Sequence, residues 1–223
     1  MHVLLIHAHP EPRSFTSALR DVARDTLRDA GHQVAESDLY AMRFDPVGGP
    51  HDVLHRVDPE RFAYQAEQQH AAAGGGFDPV LAHEMEKLRI ADLLVLTFPL
   101  WWFSVPATLK GWVDRVFAFG LVYGRGQAYA QAPWRGKRAI CALTTGSPAA
   151  AFQPGGRNGD INHVLHHVQF GMLHFIGADV LPPFVAYSAA RVDDATRAQY
   201  LDQWRERLRT LDQTPPLLAT PAV

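Results

Sequence analysis

Residues 91–117 read ADLLVLTFPLWWFSVPATLKGWVDRVF. The first ten residues are apolar without alternation, which fits a strand of a parallel sheet covered on both faces rather than a half-exposed antiparallel one. Beyond them Val105, Leu109, Trp112, Val113, Val116 and Phe117 recur at helical spacing, with Pro106 tolerated in a first turn. Between the two segments Pro99, Leu100, Trp101, Trp102 and Phe103 crowd a junction that is usually polar and Gly-rich. A strand-to-helix turn built from indoles and a phenyl ring asks for a flat apolar partner.

The rest of the chain repeats the strand-then-helix rhythm. HVLLIHA (2–8) is a short apolar run ending in a His-Pro turn, and SFTSALRDVARDTLRDAG (14–31) carries helical spacing at Phe15, Leu19, Val22, Ala23, Leu27 and Ala30. Ser14 is its expected N-cap and Gly31 its stop. QVAESDLY (33–40) reads as a strand, 41–77 as a long irregular stretch, and 78–90 as a helix. KRAICALTT (137–145) is the next strand, and TGSPAAAFQPGGRNGD (145–160) is a Gly-rich loop. A helix over 160–176, a strand over 178–187 and a helix sharing Leu201, Trp204, Leu208 and Leu211 on one face complete the pattern.

Five strands alternating with helices predict an α/β fold: a doubly wound five-stranded parallel sheet with helices on both faces, in one domain over 1–223. Such sheets bind ligands beyond the carboxyl ends of their strands, so HAHPEPRSF, FPLWWF and TTGSP share one edge. The 37-residue stretch at 41–77 is long for a connection and is either disordered or functional.

Composition narrows the function. With 21 basic and 23 acidic residues the net charge is -2, which offers no basic excess for nucleic acid or an anionic membrane. No run approaches the ~18 apolar residues of a membrane span, and the N-terminal apolar run is short for a signal peptide; a cytoplasmic protein is expected. The single Cys141, inside RAICALTT, reads as a small buried hydrophobe.

At the shared edge the first loop lacks G-x-G-x-x-G. It offers His9 at a strand end and Ser14, Phe15 and Thr16 at a helix start, where unpaired N–H groups favour a phosphate; equally, Ser14 is only a cap and His9 a turn residue. The aromatic junction suits an isoalloxazine ring, or else it is core or dimer-contact surface. Gly146 in TTGSP lets a second backbone approach a ligand closely, which favours the ring. His163, His166, His167 and His174 share a helix, but no Cys or carboxylate at recognisable spacing completes a zinc set, so no metal site is expected.

In order and spacing, AHPEPRSF, ESDLYAMRFDP, FPLWWFSVPATLKGWVDRVF, LTTG, LHFIG and the closing Trp helix resemble the NAD(P)H:quinone oxidoreductases of the DT-diaphorase type, flavodoxin-like flavoenzymes, from residue 1 to about 212. The resemblance implies a homodimer with one FAD per subunit (FAD in preference to FMN), NAD(P)H as hydride donor, and a quinone or other flat acceptor that alternates with it in one slot, a ping-pong scheme. His9, Ser14, Phe15 and Thr16 would hold the pyrophosphate and ribose, with Arg197 near the adenine. Pro99, Leu100, Trp101, Trp102, Phe103, Thr144, Thr145 and Gly146 would cradle the ring system. Trp102 and Phe103 would face substrate, and Tyr123, Arg125 and Phe175 would roof the slot from the second subunit. The 41–77 arm would reach across the dimer.

Two departures stand out. Where the family commonly places a Tyr and a His that relay a proton, this chain has Phe152 and Asn158, leaving backbone N–H groups near Thr145, Gly146 and Gly156, or the Asn158 side chain, to stabilise charge. Arg125 stands where the family usually has an aromatic or apolar residue. A tail over 212–223, ending at Val223, lacks the segment with which longer members contact the dinucleotide, so donor preference is open. Two further readings of such a chain are a flavin-binding regulatory subunit of a membrane transporter and an FMN-dependent azo, nitro or flavin reductase.

Overall fold

In the computed structural model, which describes residues 1–219, parallel ladders join the strands in the order β2-β1-β3-β4-β5. These are β1 (His2–His7), β2 (Gln33–Asp38), β3 (Leu93–Pro99), β4 (Arg138–Thr144) and β5 (Asp179–Val180). A sixth strand, β6 (Phe184–Ala186), also pairs with β4. β1 lies between β2 and β3, so the chain leaves its first strand in one direction and returns on the other side. That reversal opens a crevice at the strands' carboxyl ends.

The expected fifth strand over 178–187 is therefore two short ones. Pro182 and Pro183 separate them, and neither has an N–H to donate to the ladder. Residues 217 and 218 cover the exposed edge: Val180 N–H donates to Leu218 O at 2.8 Å and Leu217 N–H to Val180 O at 2.7 Å. Part of the 212–223 tail thus packs on the sheet, while 220–223 lie outside the described residues.

β3 is buried at all seven positions, as its unbroken apolar run requires. Leu93 and Val95 face α1 (Phe15–Asp29) and α7 (Asp194–Arg209), packing with Leu19, Ala23, Trp204 and Leu208. Leu94 and Leu96 face α3 (Pro79–Ile90) and α4 (Ala107–Val116), packing with Leu81, Leu88, Leu109 and Trp112. Each buried leucine or valine contributes about 1.5–3 kcal/mol of transfer free energy. The buried indoles also find acceptors: Trp112 Nε1 donates to Glu84 Oε2 at 2.8 Å, Trp134 Nε1 to Leu88 O at 2.8 Å and Trp204 Nε1 to Leu19 O at 2.9 Å. Cys141 is buried in β4, and burial pushes its thiol up to about 12, leaving a packing role.

Two segments differ from the sequence expectation. The 41–77 stretch contains an 11-residue helix, α2 (Tyr64–Gly74), and docks on its own chain. Asp52 is 1% exposed and receives Arg115 Nη2 at 2.7 Å, Arg115 Nε at 3.0 Å and the Tyr64 hydroxyl. Gly111 of α4 lies so close to Pro46 that a Cβ there would meet the Pro46 carbonyl oxygen at 2.2 Å. The helix expected over 160–176 is broken into α5 (Ile161–Val164), a single turn α6 (His166–Val168) and a π-helical turn over Gln169–His174. α5 stops at Leu165, whose ψ of 0° leaves the α region.

Candidate functional site

Three strand-end segments meet in a cleft of about 670 Å³, lined by His9, Arg13, Ser14, Phe15 and Thr16 after β1, by Pro99, Leu100 and Trp101 at the end of β3, and by Thr144, Thr145 and Gly146 at the end of β4. Ala189 and Ala190 of the β6–α7 connection and Arg197 of α7 close it. The pieces converge because every strand of a parallel sheet ends on the same side.

The first wall is the start of α1. Ser14 caps it, accepting from Ser17 N–H at 3.1 Å. Thr16 Oγ1 and Thr144 Oγ1 lie 2.9 Å apart, joining α1 to the end of β4. The first-turn N–H groups have no carbonyl within the helix, and the dipole adds positive potential beside the Arg13 and Arg197 guanidiniums. This end fits a phosphate group. His9 Nδ1 accepts from Glu11 N–H at 3.0 Å, its ring lies 6.1 Å from that of Trp101, and burial lowers its pKa so that it stays a neutral, ring-like wall near neutral pH.

Behind the wall, His7 Nε2 lies 3.1 Å from Ser17 Oγ and His7 Nδ1 2.9 Å from Thr97 Oγ1. Burial first, then the Arg20 cation, push His7 down to about 4. A depressed imidazole means the unfolded chain binds the extra proton between about pH 6.5 and pH 4, so stability is full above this window and falls as pH drops through it. We expect roughly 2–3 kcal/mol to be lost between about pH 7 and about pH 4.5 from this group. Urea unfolding at both pH values checks it: His7→Gln should flatten the slope, and an identical slope would refute the assignment.

The second wall is the aromatic junction. Trp101, Trp102 and Phe103 are 43%, 96% and 49% exposed, so they are surface and not core. Trp101 and Ser104 exchange backbone hydrogen bonds of 3.1 and 2.9 Å around a two-residue turn in which Trp102 and Phe103 both have positive φ, 50° and 60°. Trp101 lines the cleft; Trp102 and Phe103 lie at the turn beyond its lining.

The 145–160 loop corrects one expectation. Thr145 N–H already donates to Ala186 O at 3.1 Å and Gly156 N–H to Gln153 O at 2.8 Å, so neither is free for a ligand; the split strand and the loop's own turn consume them. Gly156 is packed against Ala150 O and Ala151 O, where a Cβ would come within 2.7 Å of both. Phe152 is buried, its ring 6.4 Å from Phe103 and 6.0 Å from Tyr187. Asn158 is half-buried and donates its backbone N–H to Ala151 O at 2.9 Å, while its side-chain amide has no hydrogen-bond partner among the described residues.

Tyr123, Arg125 and Phe175 stand apart from this cleft. Tyr123 and Phe175 are in edge contact at 5.4 Å, and Arg125 lines another concavity of about 580 Å³ with Tyr64, Gln65 and Phe119. The four histidines of the 160–176 segment do not gather: among the described residues no group of three His, Cys, Asp or Glu could hold a metal ion. Arg13, Ala189 and Ala190 belong to the cleft and lie outside the sequence expectation. A basic residue one position before a helix cap at a strand end was a usable sign for Arg13, and the strand-end rule applied to β6 would have found the alanines.

Comparison with known proteins bears on what this cleft does. The family model described as flavodoxin-like fold matches residues 1–208. The chain is 39% identical to the NAD(P)H dehydrogenase [quinone] 1 of Cavia porcellus over 98% of its own length and 80% of that protein's. It is 37% identical to the human ribosyldihydronicotinamide dehydrogenase [quinone] over 98% and 95%. A crystal structure from Klebsiella pneumoniae, described as a candidate quinone reductase, superposes with a TM-score of 0.92 at 40% identity, covering 96% of this chain and 86% of that one.

Proposed function

From a chain that belongs to the family of flavodoxin-like fold, we propose an FAD-dependent NAD(P)H:quinone oxidoreductase in which donor and acceptor take turns in one slot. The observation that carries this is one cleft in which the start of α1, flanked by Arg13 and Arg197, shares its walls with the exposed Trp101. A flavin bound there would accept a hydride from the nicotinamide and pass it to the quinone. FAD rather than FMN fits a cleft that continues past α1 to Ala189, Ala190 and Arg197, which leave room for an adenylate.

The residues of this chain have the following work. Ser14, Phe15 and Thr16 present the start of α1 to the diphosphate, with Arg13 and Arg197 supplying positive charge. Pro99, Leu100 and Trp101 on one side and Thr144, Thr145 and Gly146 on the other orient a ring system and exclude water from it. Trp102 and Phe103 offer apolar faces to a flat substrate. With Thr145 and Gly156 N–H groups engaged, the Gly146 N–H, which lines the cleft, and the Asn158 amide are the groups that would donate to charge developing on the ring's polar edge. Phe152 contributes packing and no proton.

We also propose a homodimer. Val47, Leu54 and Val57 of the 41–77 arm are more than half exposed, apolar surface that a second copy would cover, bringing Tyr123, Arg125 and Phe175 over its partner's slot. Among the described residues no helix is long and apolar enough to cross a membrane.

Reconstitution with FAD or FMN, followed by stopped-flow mixing with NADH or NADPH and then a quinone panel, tests the reading. Tight FAD uptake and rapid turnover are expected; a chain that stays colourless with both flavins, or binds one without turnover, overturns it. Replacing Phe152 with Tyr and Asn158 with His together should raise the single-turnover rate of flavin reduction by about tenfold or more, because a proton-transferring pair then adjoins the shelf. An unchanged rate would show that the missing pair does not limit this chain.

A further inference from the structure

Two consecutive residues with positive φ and an i to i+3 hydrogen bond define a mirror-image hairpin turn, which Asn-Gly or Asp-Gly normally occupies because side chains with a Cβ pay a steric penalty there. Trp102 and Phe103 occupy it here. Strain of this kind persists only when surrounding structure over-determines it, and it collects at functional sites. The reciprocal Trp101–Ser104 backbone bonds close the turn but do not tie it to the rest of the fold. Three contacts do: the Trp101 ring lies 6.1 Å from that of His9, the Phe103 ring lies 6.4 Å from Phe152, and Ser104 Oγ lies 2.8 Å from His167 Nε2. His167 reaches the turn from α6, the single turn that restarts after Leu165 ends α5.

We propose that His167 is a positioning residue, which through Ser104 holds the Trp101–Phe103 shelf in its strained conformation and so sets the geometry of the ring slot. This rests on the function proposed above. His167 touches no reacting atom in this scheme; it acts through the turn. Loss of the link frees the turn to relax, so the bound ring loses its fixed stacking surface, and the deficit falls on flavin affinity and acceptor KM more than on kcat.

The test is a double-mutant cycle on the full chain: His167→Ala, Ser104→Ala and both together, with His167→Gln as the conservative replacement. Each alanine variant should weaken FAD binding and raise the quinone KM by about fivefold, with kcat within about twofold of wild type. The double variant should be no worse than either single one, and His167→Gln should recover most of the loss. Singles within twofold of wild type, or a double variant equal to their product, would overturn the proposal, since a surface histidine with an incidental bond behaves that way.

A flavin-free measurement keeps this separate from the proposed function. Trp112, Trp134 and Trp204 are buried, so fast depolarisation in time-resolved tryptophan anisotropy reports Trp101 and Trp102. A larger fast component in His167→Ala supports the anchor even if the wild type takes up no flavin, and an unchanged one refutes it even if the wild type is a quinone reductase.

Discussion

Replacing Arg115 with alanine should destabilise the chain by about 3–5 kcal/mol and release the 41–77 arm. Arg115 is 5% exposed and holds three acceptor contacts: two of its nitrogens on Asp52 Oδ1 and Nη1 on Asp45 O at 2.6 Å. Its guanidinium also lies 5.3 Å from the Phe44 ring centroid. Truncation leaves the Asp52 carboxylate buried with the Tyr64 hydroxyl and His51, at 3.4 Å, as its remaining partners. The Tyr64 phenol, raised by burial and then by Asp52, stays a donor and cannot neutralise the charge. Urea unfolding gives the loss, and limited proteolysis should show new cleavage within 41–77. Replacing Arg115 with Met and Asp52 with Leu together should restore much of the stability, because no orphaned charge is then left. A single-variant loss below about 1 kcal/mol would mean that the arm is held by other contacts.

The second large effect is on the proposed cofactor. A Cβ added at Gly146 meets no atom within 4 Å, and its φ is outside the left-handed region, so Gly146→Val should fold with an unfolding midpoint near that of wild type. Gly146 nevertheless lines the cleft. The added isopropyl group would occupy space that a ring system needs, lowering FAD affinity by about 100-fold, or ~2.7 kcal/mol, and taking turnover down with it. Fluorescence titration of FAD measures this directly. Wild-type affinity in a folded Gly146→Val protein would remove the fourth strand's loop from the ring site. A global loss of stability would instead show that Gly146 is structural.

These two predictions draw on different kinds of information. Most of the cleft's lining is legible in the sequence, because His9, Ser14, Trp101 and Thr144 each lie at or just past the end of a strand-like segment and parallel strands deliver their ends to one edge. The clamp on the arm was not. YQAEQQHAAAG has little amphipathic pattern, and its helix is held by distant partners: Glu67 accepts from Arg56 at 2.9 Å and from Val57 N–H at 2.8 Å, and Gln68 accepts from Phe119 N–H at 3.1 Å. The Pro182–Pro183 pair is a strand breaker, yet the apolar residues around it read as one continuous strand.

By itself the sequence determined the parallel sheet, the faces of its helices and the edge where three loops meet, because hydrophobic periodicity is set by local geometry that repeats every two or 3.6 residues. Only the tertiary structure decided which polar groups remain free at that edge. Whether Thr145 and Gly156 can offer an N–H, whether Ser104 finds His167, and whether Asp52 finds Arg115 depend on atoms brought together from far apart in the chain. Hydrogen bonding is directional and short-ranged, so those pairings exist only once the backbone is in place.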